Sequence, residues 1–333
     1  MATIYQVSEL AKVSLATVSR VMNGNTRVSD KTRDKVLAAM KELDYRPNTI
    51  AQSLASNRSN CIGLLVSEIH GPFFGQMMSG VETAIRAAGK HVIITTGHSE
   101  EDKEKDGIEF LISRNCDAII LHVEAVSDEY LVELNKGRTP IFLVSRHVEE
   151  LAEKCISLDN ELGGYLATKT LIDKGHKNIA YIAGPQYKAD AVERLLGHKR
   201  ALAESNIAIK DNLIFEAELK ELGGINGLRH FLTERETFTA LACANDEMAS
   251  GAMTYAREHN LEMPRDLSVI GFDNVVFASH LYPKLTTIEN PVNKMGSMAA
   301  KLVLKEIYQQ EEHHIQQLFK PNLILRDSVS ELS

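Results

Sequence analysis

Cysteine is scarce in this chain of 333 residues, with four in all at Cys61, Cys116, Cys155 and Cys243. None belongs to a C-x-x-C pair and each lies in an apolar, strand-like run, so reduced core thiols are expected rather than a disulfide framework. No apolar run approaches the roughly 18 residues of a membrane span. The start of the chain lacks a basic-then-apolar leader, so no membrane association is expected and the cytoplasm is the expected location. Also missing are G-x-x-x-x-G-K-[ST], G-x-G-x-x-G and G-x-S-x-G. No nucleophile stands beside a plausible base. No enzymatic activity, catalytic residue, cofactor or metal is expected, and His313-His314 is taken as a solvated loop.

An excess of basic residues is lacking too: 37 Lys and Arg stand against 45 Asp and Glu, a net charge of −8. Taken globally, that argues against nucleic acid. The distribution reverses the conclusion. Residues 1–60 hold nine basic and five acidic side chains, a surplus of four positive charges, which leaves 28 basic and 40 acidic in the remainder. A basic head on an acidic body turns the head toward phosphates.

What the head contains is helical periodicity. Ile4, Val7, Leu10 and Ala11 share one face of a short helix that Thr3 caps. Ser14 caps a second helix with an apolar stripe of Val18, Val21 and Met22, closed by Gly24. The tight Lys12-Val13-Ser14 turn between them makes a helix-turn-helix. Ser29 caps a third helix over 30–44, with Val36, Leu37, Met40 and Leu43 facing inward, and Arg46-Pro47-Asn48 interrupts it. Leu15, Ala16, Thr17, Ser19 and Arg20 occupy the outward N-terminal part of the second helix, where such a motif meets base edges in the major groove. A solvated helix face is the plainer alternative for these residues.

From Cys61 onward, short apolar runs alternate with helical patterns. Runs at 61–66, 91–94, 117–121 and 140–144 suit parallel strands buried on both faces, with helices at 76–88, 105–113 and 128–135 between them. The pattern repeats with strands at 178–183, 213–216, 240–244 and 267–272 and helices at 163–173, 191–203, 225–233 and 246–258. Residues 285–288 lead back toward the first unit, 295–308 form its last helix, and 323–325 are a strand returning to the second. The expected fold is therefore an all-α helix-turn-helix head followed by two doubly wound α/β subdomains with parallel sheets. A cleft between the carboxyl ends of the two sets of strands is the expected ligand site.

Three stretches carry a resemblance: Ala-Thr-Val-Ser-Arg-Val at 16–21, Val-Ser-Asp-Lys-Thr-Arg at 28–33, and Tyr-Arg-Pro-Asn-x-x-Ala-x-x-Leu-Ala at 45–55. The chain resembles the lactose/galactose repressor family of bacterial transcription regulators along its whole length, and its second part resembles the periplasmic-binding-protein fold that the family shares. The resemblance implies division into a DNA-binding domain at 1–46, a hinge helix and linker at 47–60, and a ligand-binding and dimerisation domain at 61–333. Within the last, one subdomain spans about 61–157 plus 289–317 and the other about 158–288 plus 318–330. It implies a homodimer on a palindromic double-stranded operator, with Thr3, Leu15, Ala16, Thr17, Ser19, Arg20, Asn23, Asn48, Ala51 and Leu54 at the DNA. Residues 50–56 would form the hinge helix, with Leu54 wedged into the minor groove. Gln52 stands where many members carry arginine. No leucine heptad run that would join dimers into tetramers is present.

For the ligand, the resemblance implies that Phe73 and Phe74 cover the apolar face of a pyranose, although buried core rings are the plainer alternative. Ser145, where members often have Asp or Asn, would bond a hydroxyl. Asp190 and Arg194 open a helix as a ligand-binding pair, and Asn245 and Asp273 match the family's sugar-binding pair, with Asn290 as a further candidate. Asp246 is assigned to capping the next helix. A carboxylate beside an amide and an arginine is suitable chemistry for the hydroxyls of a neutral sugar. His122, with the Asn115-Cys116-Asp117 lead-in, resembles the galactose-operon branch of the family, so galactose or a galactoside is the implied inducer. A β-glucoside-type sugar, another ligand or a corepressor remains the alternative.

Overall fold

The structure, a computed structural model, describes residues 2–22, 28–46, 58–311 and 314–332. It divides into two units, Met1–Asn60 and Cys61–Ser333.

In the first unit, helix α1 spans Ile4–Ala11, α2 Leu15–Met22 and α3 Asp30–Glu42. Each begins where a hydroxyl meets free helix N–H groups. Thr3 Oγ1 accepts from the Gln6 amide at 3.4 Å while the Gln6 side chain accepts from the Thr3 amide at 2.9 Å, a reciprocal capping box. Ser14 and Ser29 accept from the Thr17 and Thr32 amides at 3.2 and 3.4 Å. Lys12, in the left-handed region at φ 56°, turns the chain between α1 and α2. Val7, Ala11, Val18, Val21, Val28, Val36 and Ala39 form the centre. Two residues assigned inward do not face it: Leu10 and Leu37 are exposed, and Ala39 supplies the inward position instead. Leu10 lies at the edge of the Val7–Ala11 stripe and Leu37 one step beyond Val36, about 100° around the helix. The third helix also stops at Glu42, earlier than expected, with Asp44 at φ 42° ending it ahead of the proline. Asn23, Gly24, Asn48, Ala51, Leu54 and the rest of the hinge stretch lie outside the described residues.

The second unit holds two sheets of six strands. Strands β1 (Cys61–Val66), β2 (His91–Thr96), β3 (Ala118–Leu121), β4 (Ile141–Val144), β5 (Cys155–Leu158) and β11 (Leu318–Phe319) build the first, in the order β11-β5-β4-β3-β1-β2. The second has the order β12-β10-β9-β8-β6-β7, from β6 (Ile179–Ala183), β7 (Ile214–Glu216), β8 (Ala240–Cys243), β9 (Ser268–Asp273), β10 (Thr286–Glu289) and β12 (Asn322–Ile324). Every pairing is parallel except β12 on β10. Helices α4 (Pro72–Ala87) and α11 (Val292–Tyr308) pack together on the first sheet, with α5 (Glu101–Ser113) and α6 (Asp128–Leu134) completing that lobe. Helices α7 (Asn160–Asp173) and α8 (Ala189–Glu204) pair on one face of the second sheet, and α9 (Glu221–Thr233) and α10 (Asp246–Glu258) pair on the other. Both lobes are doubly wound, as the alternating pattern predicts.

The apolar runs form the core because parallel strands carry helices on both faces. Each fully buried Leu, Ile or Val there contributes about 1.5–3 kcal/mol. Four details differ from the sequence reading. The run at 91–94 becomes an edge strand, half-buried, with Ile94 exposed; residue pattern does not specify a place in the sheet order. Strands β5 and β11 were not anticipated, being four and two residues long. Residues 286–289 stay in the second sheet, pairing in parallel with β9, and the chain returns to the first lobe only afterwards. Cys61 is half-buried, whereas Cys116, Cys155 and Cys243 are buried free thiols, and burial pushes Cys116 up to about 12. The backbone crosses between lobes after β5, after β10 and after β11. Among the described residues, no helix is long and apolar enough to cross a membrane.

Candidate functional site

A cavity of about 310 Å³ lies between the lobes, at the carboxyl ends of the strands. All nine residues expected at the ligand line it: Phe73, Phe74, His122, Ser145, Asp190, Arg194, Asn245, Asp273 and Asn290. The first lobe contributes rings. Phe74 meets Phe73 and His122 edge to face, with centroids 5.3 and 5.4 Å apart. His122 is buried, and its Nδ1 lies 3.2 Å from Ser67 Oγ.

The second lobe contributes a polar cluster around Arg194. Arg194 is 2 % exposed, and its Nη1 donates to the Ala244 carbonyl at 2.7 Å and Nε to Asn160 Oδ1 at 3.1 Å. Nη2 faces Asp190 at 3.4 Å and Asp273 at 3.5 Å, and the guanidinium lies 3.8 Å from the Phe272 ring centroid. Its position depends on close packing of α7 against α8. A Cβ on Gly164 would stand 2.0 Å from the Arg194 carbonyl oxygen, and one on Gly197 2.0 Å from that of Glu161. Only glycine allows the two backbones so near.

Asp273 ends β9 at φ 101°, a strained conformation that directs its carboxylate into the cavity, where Asn290 Nδ2 donates to it at 3.2 Å. Burial raises the Asp273 carboxyl, and Arg194 and Asn290 only partly offset this. Behind it, Asp246 departs from its expected capping role. Asn245 is the cap of α10, accepting from the Met248 amide at 2.9 Å and donating to the Leu219 carbonyl at 3.1 Å. Asp246, fully buried, instead accepts from the Val275 amide at 2.9 Å and the Thr287 hydroxyl at 2.6 Å, tying down the loop after Asp273. Burial pushes its carboxyl well above the usual range.

Two buried polar atoms at the cavity, Ser145 Oγ and Asn290 Oδ1, have no hydrogen-bond partner among the described residues. Leaving such atoms unsatisfied costs about 1–3 kcal/mol each, which a ligand hydroxyl would recover. Sequence reasoning passed over Glu124, Lys188, Ser67, Ser99 and Asn160, which also line the cavity. Glu124 stands two residues beyond His122 at the same strand end, and that position was the available signal. For the rest, only the meeting of distant loops shows it. No group of three or more His, Cys, Asp or Glu suited to a metal occurs among the described residues.

In the head, Ala16, Arg20 and Thr3 are exposed, and Leu15, Thr17 and Ser19 are half-buried. Thr3 is engaged in its capping box, and the Thr17 hydroxyl lies 2.9 Å from that of Ser14.

Comparison with known proteins agrees in both units. Residues 3–48 match the family described as bacterial regulatory proteins, lacI family, and residues 168–329 match a periplasmic binding protein-like domain. The HTH-type transcriptional regulator GalR of Escherichia coli K12 is 38% identical over 330 residues, covering 99% of this chain and 96% of that protein. The chain belongs to the LacI family. The ribose operon repressor of Haemophilus influenzae, another relative, is 35% identical over 332 residues and the full length of both chains. A crystal structure of the lac repressor dimer, bound to operator and the anti-inducer ONPF, superposes with a TM-score of 0.87 at 29% identity over 99% of each chain. As a LacI-family protein, the chain is a DNA-binding transcriptional repressor with a sugar-effector domain, not an enzyme.

Proposed function

We propose that this repressor controls a sugar-utilisation operon and leaves its DNA when galactose or a galactoside enters the cleft. The observation that carries the reading is the arrangement of the cavity, where the Phe73–Phe74–His122 rings of one lobe share a chamber with the Asp273–Arg194–Asn290 cluster of the other. Rings suit the C–H face of a pyranose, and the carboxylate, amide and guanidinium suit its hydroxyls. Seven carboxylates line the cavity against four Lys and Arg side chains, which favours a neutral sugar over a phosphorylated one. The 38% identity to GalR favours galactose.

In this reading residues 1–46 read the DNA, 47–60 form the hinge, and 61–333 bind the effector and dimerise. Two heads on one dimer engage a palindromic operator in the cytoplasm, with Leu15, Ala16, Thr17, Ser19 and Arg20 toward the major groove. An operator fragment recovered by selection from random DNA, titrated by fluorescence anisotropy with and without D-galactose, tests the proposal. Release by galactose supports it. Release only by a β-glucoside, or tighter binding with sugar, refutes the galactose-inducer assignment.

A further inference from the structure

We propose that two ion pairs, Glu124–Lys188 and Glu68–Lys220, form a latch across the cleft that holds the lobes closed and so sets effector affinity. The affinity part rests on the cavity being a sugar site; the latch itself does not. Among the described residues these are the two ion pairs that join one lobe to the other, 2.8 and 2.5 Å long. Glu68 and Glu124 follow β1 and β3 of the first lobe, while Lys188 and Lys220 precede α8 and α9 of the second.

The receptor for Lys188 is fixed in place. The buried Glu104 carboxylate accepts from the Glu124, Ala125 and Val126 amides at 2.8, 3.0 and 2.9 Å. Glu124 Oε2 also accepts from Ser67 Oγ at 3.3 Å and from Ser99 Oγ. The Glu124 and Lys188 side chains are 14% and 12% exposed. Opening the cleft returns both to water. Removing one partner leaves the other charge buried and uncompensated while the cleft is closed, which favours opening. Glu68, also 3.2 Å from His70, and Lys220 are more exposed, so salt screens their attraction more. An effector that requires closed lobes binds in proportion to the closed fraction, so loosening the latch weakens it; because the four side chains also line the cavity, ligand-free exchange is the readout that separates the latch from a lost ligand contact.

The test compares the full-length wild type with Lys188→Met, Lys220→Glu and the exchanged pair Glu68→Lys with Lys220→Glu. Hydrogen exchange without ligand is followed in peptides covering 66–71 and 184–190, and D-galactose affinity is followed by calorimetry at low and high KCl. Lys188→Met and Lys220→Glu are expected to accelerate exchange in both peptides and weaken galactose by about three- to ten-fold. The exchanged pair should restore both. Wild-type galactose affinity should fall as KCl rises, and less steeply in Lys220→Glu. Should Lys188→Met fail to fold, the two Lys220 variants, at a half-exposed site, decide alone. Unchanged ligand-free exchange in the folded variants overturns the latch, even if galactose binding weakens, because the lysines would then be ligand contacts. Accelerated exchange in a protein whose wild type does not bind galactose supports the latch and removes the sugar assignment instead.

Discussion

Replacing Asp273 by Asn should yield a repressor that still binds its operator and no longer answers to galactose. The substitution preserves shape. Asp273 sits at φ 101°, a region Asn tolerates better than most residues, and an amide oxygen retains the hydrogen bond from Asn290 at 3.2 Å. What disappears is the negative charge 3.5 Å from Arg194, which keeps Asp190 at 3.4 Å as a partner and remains bonded to Ala244 and Asn160. A hydrogen bond to a charged group contributes about 1.5–3 kcal/mol and a neutral one about 0.5–1.5 kcal/mol. Two sugar hydroxyls on the carboxylate would therefore lose roughly 2–3 kcal/mol together, or about 30- to 150-fold in affinity. The sugar shifts the protein only through its differential affinity for two conformations, so release weakens in step. Calorimetry with D-galactose and anisotropy on a selected operator measure the two affinities separately. Unchanged sugar affinity removes Asp273 from the site. Lost operator binding with an intact fold refutes the proposed direction of coupling.

Three further outcomes are expected. Gly164→Ala places a methyl 2.0 Å from a backbone oxygen and should lower stability by about 3 kcal/mol in urea denaturation, since α7 must separate from α8; an unchanged midpoint contradicts that packing. The Asp246 carboxyl is raised by burial, so it contributes most stability below its unfolded value near ~3.9 and loses it as pH rises toward the folded value. Asp246→Asn should therefore gain stability relative to wild type as pH rises above about 4, and a difference independent of pH in urea titrations would contradict the desolvation. Exchanging Leu15 for Tyr and Ala16 for Gln should change the half-site recovered by selection while leaving non-specific affinity nearly constant, because apolar contacts at base edges discriminate sequence; recovery of the same half-site by both proteins refutes that assignment.

The sequence by itself determined the kinds of element, the charge division and the family. Hydroxyl caps at Thr3, Ser14 and Ser29, the 3.6-residue stripes and the continuous apolar runs are local signals, and local signals survive without knowledge of the fold. It also pointed to the strand ends as the place of the site, and the family resemblance named nine residues spread from Phe73 to Asn290 that are found around one cavity. Tertiary structure decided what depends on neighbours distant in the chain. The run 91–94 became an edge because strand order is set by crossovers, not by residue pattern. Leu37 turned outward while Ala39 turned in, because the buried face of a helix is chosen by what packs on it. Asp246 left its cap to hold Val275 and Thr287, and Asn245 took the cap. The ion pairs of Glu124 with Lys188 and Glu68 with Lys220 join residues 64 and 152 positions apart. Nothing in the sequence pairs those charges, since a salt bridge is a property of two loops meeting and neither loop records the other.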